Sequence, residues 1–245
     1  MQIFKLIAAW VCIAVVALGM GFPDSYYQLK GKEQKKEFIS ILKPMIDKSN
    51  SKTLAERVFA ENFFKQATSR AFRSLHPDDL KNLLKISKKY KVKNLFDKDE
   101  YLKRIDIVPP SLAIVQGAIE SGWGKSRFVR EANNVFGHWT WGEVGLIPTK
   151  REEGKTHKIR IFRDMQSSVD AYILNLNRHY AYDLFRKARL QKKEEGRVIT
   201  GYEAANTMLY YSELRQKYVD MLHKVMKEYH LLSYDEAKER ESKGL

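Results

Sequence analysis

The chain has 245 residues, 44% of them hydrophobic, which suits one medium-sized domain with a buried core, with or without a helical extension. Its single cysteine, Cys12, excludes an internal disulfide. The formal net charge of +14 favours an anionic partner, which could be nucleic acid, a membrane face or an anionic cell-wall polymer. Charge alone does not choose among these three.

The N-terminal segment, residues 1–22, is predicted to be an export signal. It carries one early cation, Lys5, followed by an uncharged apolar run over residues 6–20, about the length of a secretory hydrophobic region. Small residues suit cleavage just after Gly19, whereas residues 3–22 are nearly long enough to span a bilayer. A cleaved signal and a retained anchor both stay open, and either places the body of the protein outside the cytoplasm.

Residues 23–105 are predicted to form a helical N-terminal region whose role is packing. The stretch EFISILKPMIDKSN predicts a helix that is broken near Pro44. A second helix is predicted to begin with Thr53 or Ser51 as its N-cap. A third follows in HPDDLKNLLKISKKYKV, with a proline in the first turn and a basic exposed side.

The next helix lies in VPPSLAIVQGAIESGWGKS and carries one acid, Glu120. Pro110 suits its first turn, and Gly122 and Gly124 are expected to end it, because glycine readily takes the left-handed exit conformation. The residues on the stripe below the acid are small or neutral: Ala113, Gln116 and Gly117. We therefore expect that face to leave room for a ligand to approach the carboxylate.

The chain changes character over residues 133–163, which are rich in Gly, Asn and aromatic residues and lack a helical period. The alternation in HKIRIF predicts a strand in a small antiparallel sheet. Helices then return, with capping boxes predicted at Ser167 with Asp170 and at Thr200 with Glu203. The pattern as a whole indicates an α+β fold that is mainly α.

A carboxyl group at the end of an apolar helix is expected to have a raised pKa, and in an open groove it could donate a proton to a leaving oxygen. The structural alternative is that Glu120 only bonds a backbone amide or an arginine. Aromatic faces and amides suit a sugar cleft, and such residues follow closely. The predicted substrate-binding residues are Trp123, Asn134, Phe136, His138 and Trp139.

Metal and nucleotide cofactors are not expected. The sequence contains no HExxH, no paired CxxC and no glycine-rich phosphate loop. His138 and His157 could be imagined as zinc ligands, but they lack a third ligand at a persuasive spacing, so a loop role is favoured.

The blocks LAIVQGAIESGWGKS, NNVFG and FRDMQSSVDAYILNLNRHYAY, in this order, resemble the bacterial glucosaminidase domain of glycoside hydrolase family 73, and most of all its Bax-type group. The resemblance covers roughly residues 105–230. It implies a lysozyme-like helical domain with a small β-lobe and a cleft between them. It also implies cleavage of N-acetylglucosamine β-1,4 linkages in peptidoglycan, with Glu120 as the catalytic glutamate.

The resemblance further implies an acidic residue in the β-lobe, for which Glu153 or Glu152 is predicted and Glu143 is a weaker candidate. This carboxylate would act as general base or support the transition state, and its separation from Glu120 bears on the stereochemical outcome. The substrate's acetamido group could instead act as nucleophile. The family's cleft tyrosine best matches Tyr182, with Tyr180 close by.

The predicted organisation is an export segment (1–22), a helical N-terminal region (23–105), a catalytic domain (106–235) and a charged tail (236–245). The expected partner is peptidoglycan in the periplasm or cell envelope, with membrane contact through the N-terminal segment and basic patches, and no nucleic acid. Two alternatives stay open. One is a muramidase or lytic transglycosylase of the same fold, and the other is a catalytically weak peptidoglycan-binding scaffold.

Overall fold

The computed structural model describes residues 21–73, 75–149 and 154–236. The predictions made for residues 1–20, Glu152, Glu153 and 237–245 lie outside these described residues. The described chain is mainly α with one two-stranded sheet, which confirms the predicted fold class.

Helices account for most of the described chain. In order, the elements are α1 (Asp24–Gln28), α2 (Gly31–Ser69), α3 (Pro77–Tyr90), α4 (Lys98–Arg104), α5 (Pro110–Ser121), α6 (Arg127–Ala132), β1 (Trp139–Thr140), β2 (Lys158–Ile159), α7 (Met165–Arg178), α8 (Asp183–Glu194), α9 (Gly201–Ala205) and α10 (Gln216–Glu228). Two short 3-10 helices, Tyr180–Tyr182 and Asn206–Met208, lie before α8 and after α9.

Helix α5 lies at the centre of the fold, in contact with α2, α9 and α10. Residues 110–118 are all buried, as expected for a helix that is apolar on most sides. Pro110 occupies its first turn, and Gly122 ends it with φ +57°. Both of these predictions are confirmed. The central position of α5 fixes the place of Glu120 in its last turn.

The face of α5 below Glu120 is filled, so the prediction of an open face there is wrong. Ala113 and Gln116 are completely buried. A Cβ added at Gly117 would lie 2.9 Å from Leu42 Cδ2 and 3.3 Å from the Phe136 ring. The small residues let neighbouring elements approach α5 closely, and they do not make room for a ligand.

Helix α2 runs without interruption past Pro44, so the predicted break is wrong. A proline inside a helix costs about 3 kcal/mol through a lost hydrogen bond and a steric clash. Leu42 and Ile46, on either side of Pro44, are fully buried in the main core. Burying each such side chain stabilises the fold by roughly 1.5–3 kcal/mol, which is enough to offset the proline.

The predicted N-cap at Thr53 or Ser51 is also wrong, because both residues lie inside α2. The Thr53 hydroxyl donates to the Ser49 carbonyl at 3.1 Å, one turn back along the same helix. The first half of α2 packs in the main core with α5, while its second half packs in a separate cluster with Leu83 and Tyr101. Residues 23–105 thus contribute both to the main core around α5 and to this second cluster.

The small antiparallel sheet is confirmed, with Trp139 opposite Ile159 and Thr140 opposite Lys158. Strand β2 covers only two residues of HKIRIF. A further bridge joins Leu146 to Ile159. This β-lobe lies between α6 and α7 in the chain.

One of the two predicted capping boxes is present. Thr200 and Glu203 form theirs at α9, as predicted. The predicted box at Ser167 is wrong, because Asp164 is the N-cap of α7 and accepts from the Ser167 amide at 2.7 Å. Asp170 bonds elsewhere, and its partners shape a cavity described below.

The last two residues of the predicted export segment belong to the folded body. The Gly21 amide donates to Asn133 Oδ1 at 2.7 Å. Phe22 is 3% exposed and stacks on Tyr26 with ring centroids 4.4 Å apart. A Cβ at Gly124 would lie only 2.5 Å from the Phe22 ring, and Gly124 has φ +73°. Among the described helices, none combines the length and apolar character needed to cross a bilayer.

Candidate active site

Glu120 lies half-buried in the last turn of α5. The Tyr218 hydroxyl, from α10, donates to Glu120 Oε1 at 2.8 Å. Burial raises the pKa of the Glu120 carboxyl above its ordinary value, and the Tyr218 hydrogen bond partly opposes this rise. Within the described residues, no arginine, lysine or backbone amide bonds Glu120. The alternative that Glu120 has only a structural role, bonded to such a group, therefore has no support there.

A buried hydrogen-bond relay sets the direction of the Tyr218 proton. The Tyr172 hydroxyl donates to Gln116 Oε1, and Gln116 Nε2 donates to the Tyr218 hydroxyl at 3.1 Å. Because the Tyr218 oxygen accepts from this amide, its own single proton is free to point at Glu120. Glu120 Oε1 is therefore an acceptor, which leaves Oε2 as the oxygen that carries the proton of the neutral acid.

Two more tyrosines complete the surroundings of Glu120. Tyr211 stacks on Tyr218 with ring centroids 5.4 Å apart and planes 7° apart. Tyr182 lies 6.0 Å from Tyr211 between ring centroids. Burial and the nearby Glu120 charge raise the pKa of Tyr182 to about 12, so its hydroxyl stays protonated and can donate a hydrogen bond. Tyr180, the neighbouring candidate, is 82% exposed.

Two predicted substrate-binding residues, Phe136 and Asn134, hold neighbouring parts of the structure in place. Phe136 is buried and stacks on Tyr172 with ring centroids 3.9 Å apart. The Asn134 amide donates to the carbonyls of His138 and Arg160, both at 2.9 Å, and accepts from the His138 amide. These hydrogen bonds occupy the amide group of Asn134, which therefore holds the loop that leads into β1.

The predicted substrate-binding residue Trp123 packs between helices. Its ring contacts Phe38 and Tyr229, with centroids 5.5 Å and 4.9 Å away, and its carbonyl accepts from the Tyr26 hydroxyl at 2.6 Å. Its backbone has φ +56°. The structure thus places the Trp123 ring between α2 and Tyr229, the residue that follows α10.

Trp139, another predicted substrate-binding residue, lies on the β-lobe together with Trp141. Trp139 is 55% exposed and stacks on His157 with ring centroids 4.2 Å apart. Trp141 is more exposed still. Together they present flat apolar faces of the kind that suit a sugar ring. His138 lines a different cavity, between α7 and the N-terminal helices.

Neither the relay nor the stack on Tyr218 follows from the sequence pattern. The helical spacing predicts only that Tyr172 and Tyr218 lie on the apolar faces of their helices. It predicts for Gln116 only that an uncharged side chain lies near Glu120. One signal was available, because a buried tyrosine needs a partner for its hydroxyl. The assisting carboxylate candidates Glu152 and Glu153 lie outside the described residues. Glu143 is exposed, and its carbonyl accepts from Lys158 Nζ.

These features define a class of protein. A half-buried carboxyl with a raised pKa can stay protonated and give its proton to a leaving oxygen. Protonated tyrosine hydroxyls beside it supply hydrogen-bond donors for a polar substrate. Exposed tryptophans nearby in the chain suit the apolar faces of sugars. The arrangement is that of a glycoside hydrolase, in which a carboxylic acid protonates the glycosidic oxygen.

Comparison with known proteins identifies the family. A family model described as glucosaminidase, mannosyl-glycoprotein endo-beta-N-acetylglucosaminidase, matches residues 97–231. The chain is 30% identical over 213 residues to Protein bax of Escherichia coli (strain K12), covering 84% of this chain and 73% of that protein. The catalytic domain of the autolysin Auto from Listeria monocytogenes matches at 18% identity and a TM-score of 0.40, covering 72% of this chain and 88% of that one.

The chain therefore belongs to the glucosaminidase family, and it is a glycoside hydrolase. The resemblance carried by the sequence blocks around Glu120 is confirmed.

Proposed function

We propose that this glycoside hydrolase cleaves the β-1,4 bonds that follow N-acetylglucosamine in peptidoglycan, and that Glu120 is the general acid. The supporting observation is the half-buried Glu120 carboxyl with a raised pKa, bonded by Tyr218 and by no cation among the described residues. A carboxyl paired with a cation would stay ionised and could not serve as an acid.

In the proposed reaction the proton on Glu120 Oε2 moves to the leaving glycosidic oxygen as the bond from the anomeric carbon to that oxygen breaks. The Tyr218 hydroxyl then stabilises the carboxylate that forms, because it already donates to Oε1 at 2.8 Å. A water molecule adds its oxygen to the anomeric carbon and gives up one proton. That last proton restores a neutral Glu120, directly or through the assisting group.

The assisting group is proposed to be Glu153 or Glu152, acting as general base or as electrostatic support. In the alternative route, the acetamido oxygen of the substrate attacks the anomeric carbon first, and the assisting carboxylate then matters less. Tyr182 fits either route, because its protonated hydroxyl can donate to the acetamido group or to a ring hydroxyl of the bound sugar. Trp139 is proposed to contact a sugar farther along the glycan strand.

Peptidoglycan lies outside the cytoplasm, so a peptidoglycan hydrolase acts there. We propose that residues 1–22 export the chain to the periplasm or cell envelope, as a cleaved signal or a retained anchor. Basic patches would add contact with the membrane surface, with a strength that falls as salt rises. The proposed organisation of the rest of the chain is a helical region (23–105), a catalytic domain (106–235) and a charged tail (236–245).

The proposal is tested by digesting purified sacculi with wild type and with Glu120→Gln. The glutamine keeps an acceptor for Tyr218 but carries no acidic proton. We expect activity to fall by about 10²–10⁴-fold, the usual contribution of a general acid. The matched control is Glu131→Gln on α6, where the side chain is 49% exposed and 3.9 Å from Arg127, and it should keep full activity.

The products separate the proposal from its rivals. New reducing ends at N-acetylglucosamine support it, whereas anhydro-muramic acid ends would assign a lytic transglycosylase. Retained binding of sacculi without released fragments would assign a scaffold. Undiminished activity in Glu120→Gln would remove Glu120 from the mechanism.

A further inference from the structure

A second cavity, of about 400 Å³, lies outside the surroundings of Glu120. It is open to solvent on one side and is bounded by α2, α3, α7 and the β-lobe. The charged or imidazole side chains that line it are Lys52, Lys89, His138, Arg160, Asp170 and Arg178. Helix α7 contributes to both places, because Tyr172 joins the relay to Glu120 while Asp170 and Arg178 line the cavity.

Two of the four cations at the cavity have carboxylate partners. Lys52 lies 2.7 Å from Asp170, and Lys89 lies 2.7 Å from Glu56. Within the described ranges, Arg160 and Arg178 form no ion pair. Arg160 stacks over the Phe162 ring, 4.6 Å from its centroid, which fixes the guanidinium without neutralising it. Among the described residues, the cavity therefore has two positive charges without a carboxylate partner.

An imidazole lies next to both arginines. Burial, with the charges of Arg160 and Arg178, lowers the pKa of His138 to about 4, so the ring is neutral at physiological pH. Its Nδ1 is buried and has no hydrogen-bond partner in the part of the chain that the structure describes. The neutral ring leaves the positive charge of the cavity to the two arginines.

Two guanidinium groups without carboxylate partners suit one carboxylate, since each can donate two parallel hydrogen bonds. Peptidoglycan differs from other N-acetylglucosamine polymers in carrying peptides that end in free carboxylates. We propose that the cavity binds a carboxylate of this peptide stem, held by Arg160 and Arg178, while the glycan strand lies at Glu120. This inference rests on the proposed function, and it makes the enzyme selective for strands that still carry peptides.

The loop that leads into β1 packs against the relay residue Tyr172 and also lines the cavity. Phe136 packs on Tyr172 on the Glu120 side, and two residues later His138 faces the cavity. The centroids of the Phe136 and His138 rings are 6.4 Å apart. This loop therefore links the packing around Tyr172 to the cavity.

The test compares soluble glycan strands with their peptides and the same strands after an amidase has removed the peptides. Dissociation constants are measured in the Glu120→Gln background, so that strands are not consumed. We expect peptide-bearing strands to bind more tightly, and Arg160→Gln and Arg178→Gln each to weaken that binding by about tenfold, with stripped strands unaffected. Arg163→Gln, whose side chain is 79% exposed and pairs with Asp164, is the matched control.

Arg160 is exposed, so Arg160→Gln is expected to fold normally. It therefore keeps the test decisive even if Arg178→Gln, at a half-buried position, fails to fold. Equal binding of the two strands, or equal weakening of both, would overturn the inference. Inorganic phosphate is the second probe. If phosphate inhibits strand binding through Arg160 and Arg178, and strands with and without peptides bind equally well, the cavity is a small-anion site and the inference is overturned. Failure of the proposed function would appear separately, as intact sacculi after wild-type treatment.

Discussion

Replacing Tyr218 with phenylalanine tests the hydrogen bond on which the acid chemistry of Glu120 depends. The substitution removes one hydroxyl, which donates to Glu120 Oε1 at 2.8 Å and accepts from Gln116 Nε2 at 3.1 Å. The ring can keep its stack on Tyr211, at a centroid distance of 5.4 Å. The variant thus changes the hydrogen bonding of the site with little change in its shape.

The lost hydroxyl has two effects, one on the rate of the reaction and one on the stability of the fold. A hydrogen bond to a charged group contributes about 1.5–3 kcal/mol, and its complete loss would slow a step by roughly 10- to 150-fold. The proton is only partly transferred in the transition state. With about half of this energy in effect there, we expect kcat to fall by about 4- to 13-fold. The variant should also be less stable by about 1–3 kcal/mol, because the buried Gln116 amide loses its acceptor.

The pH dependence has a definite sign. Burial raises the pKa of Glu120, and the Tyr218 hydroxyl lowers it by favouring the ionised form. Without the hydroxyl, burial acts unopposed, so the pKa of Glu120 rises further. A general acid works only while it is protonated, and the alkaline limb of the kcat profile should therefore move to higher pH.

The assay is kcat against pH on peptidoglycan strands, with Tyr26→Phe as the matched control. The Tyr26 hydroxyl is also buried, but it donates to the Trp123 carbonyl at 2.6 Å and does not contact Glu120. This control should lose stability and keep the wild-type pH profile. An alkaline limb that stays in place or moves to lower pH in Tyr218→Phe would refute the reasoning, as would the same shift in the control.

Two further outcomes are expected. In Tyr182→Phe, kcat/KM should fall by roughly 2- to 13-fold, because a hydrogen bond of about 0.5–1.5 kcal/mol to an uncharged group of the sugar is lost, and unchanged kcat/KM would remove Tyr182 from the site. In Phe22→Ala, the free energy of unfolding should fall by about 3–5 kcal/mol in a denaturant titration, because the 3% exposed ring packs against Tyr26. Phe96→Ala, at 46% exposure, is its control and should change stability by less than about 1 kcal/mol, and equal losses would contradict the packing of Phe22.

Features that depend on a few neighbouring residues could be predicted from the sequence. The end of α5 at Gly122 is one, because a left-handed residue after a helix favours glycine over most other residues. The capping box of Thr200 and Glu203 is another, since both partners lie within one helical turn. The position of Glu120 at a helix end follows from the same local reasoning, and the order of the sequence blocks predicted the family.

Other local predictions were wrong where tertiary packing decided the outcome. Pro44 usually breaks a helix, but Leu42 and Ile46 are buried on either side of it and keep α2 continuous. Gly117 is small because α2 and the loop at Phe136 press against α5 at that position. The sequence pattern alone cannot distinguish a small residue that admits a ligand from one that admits another helix.

The sequence by itself determined where Glu120 lies, how its helix ends and which family the chain belongs to. The tertiary structure decided the surroundings of that acid. Tyr218 lies 98 residues further along the chain, and its hydroxyl reaches Glu120 only because α10 packs against α5. Backbone preferences act over a few residues, whereas the pKa of a carboxyl depends on every group that burial brings near it.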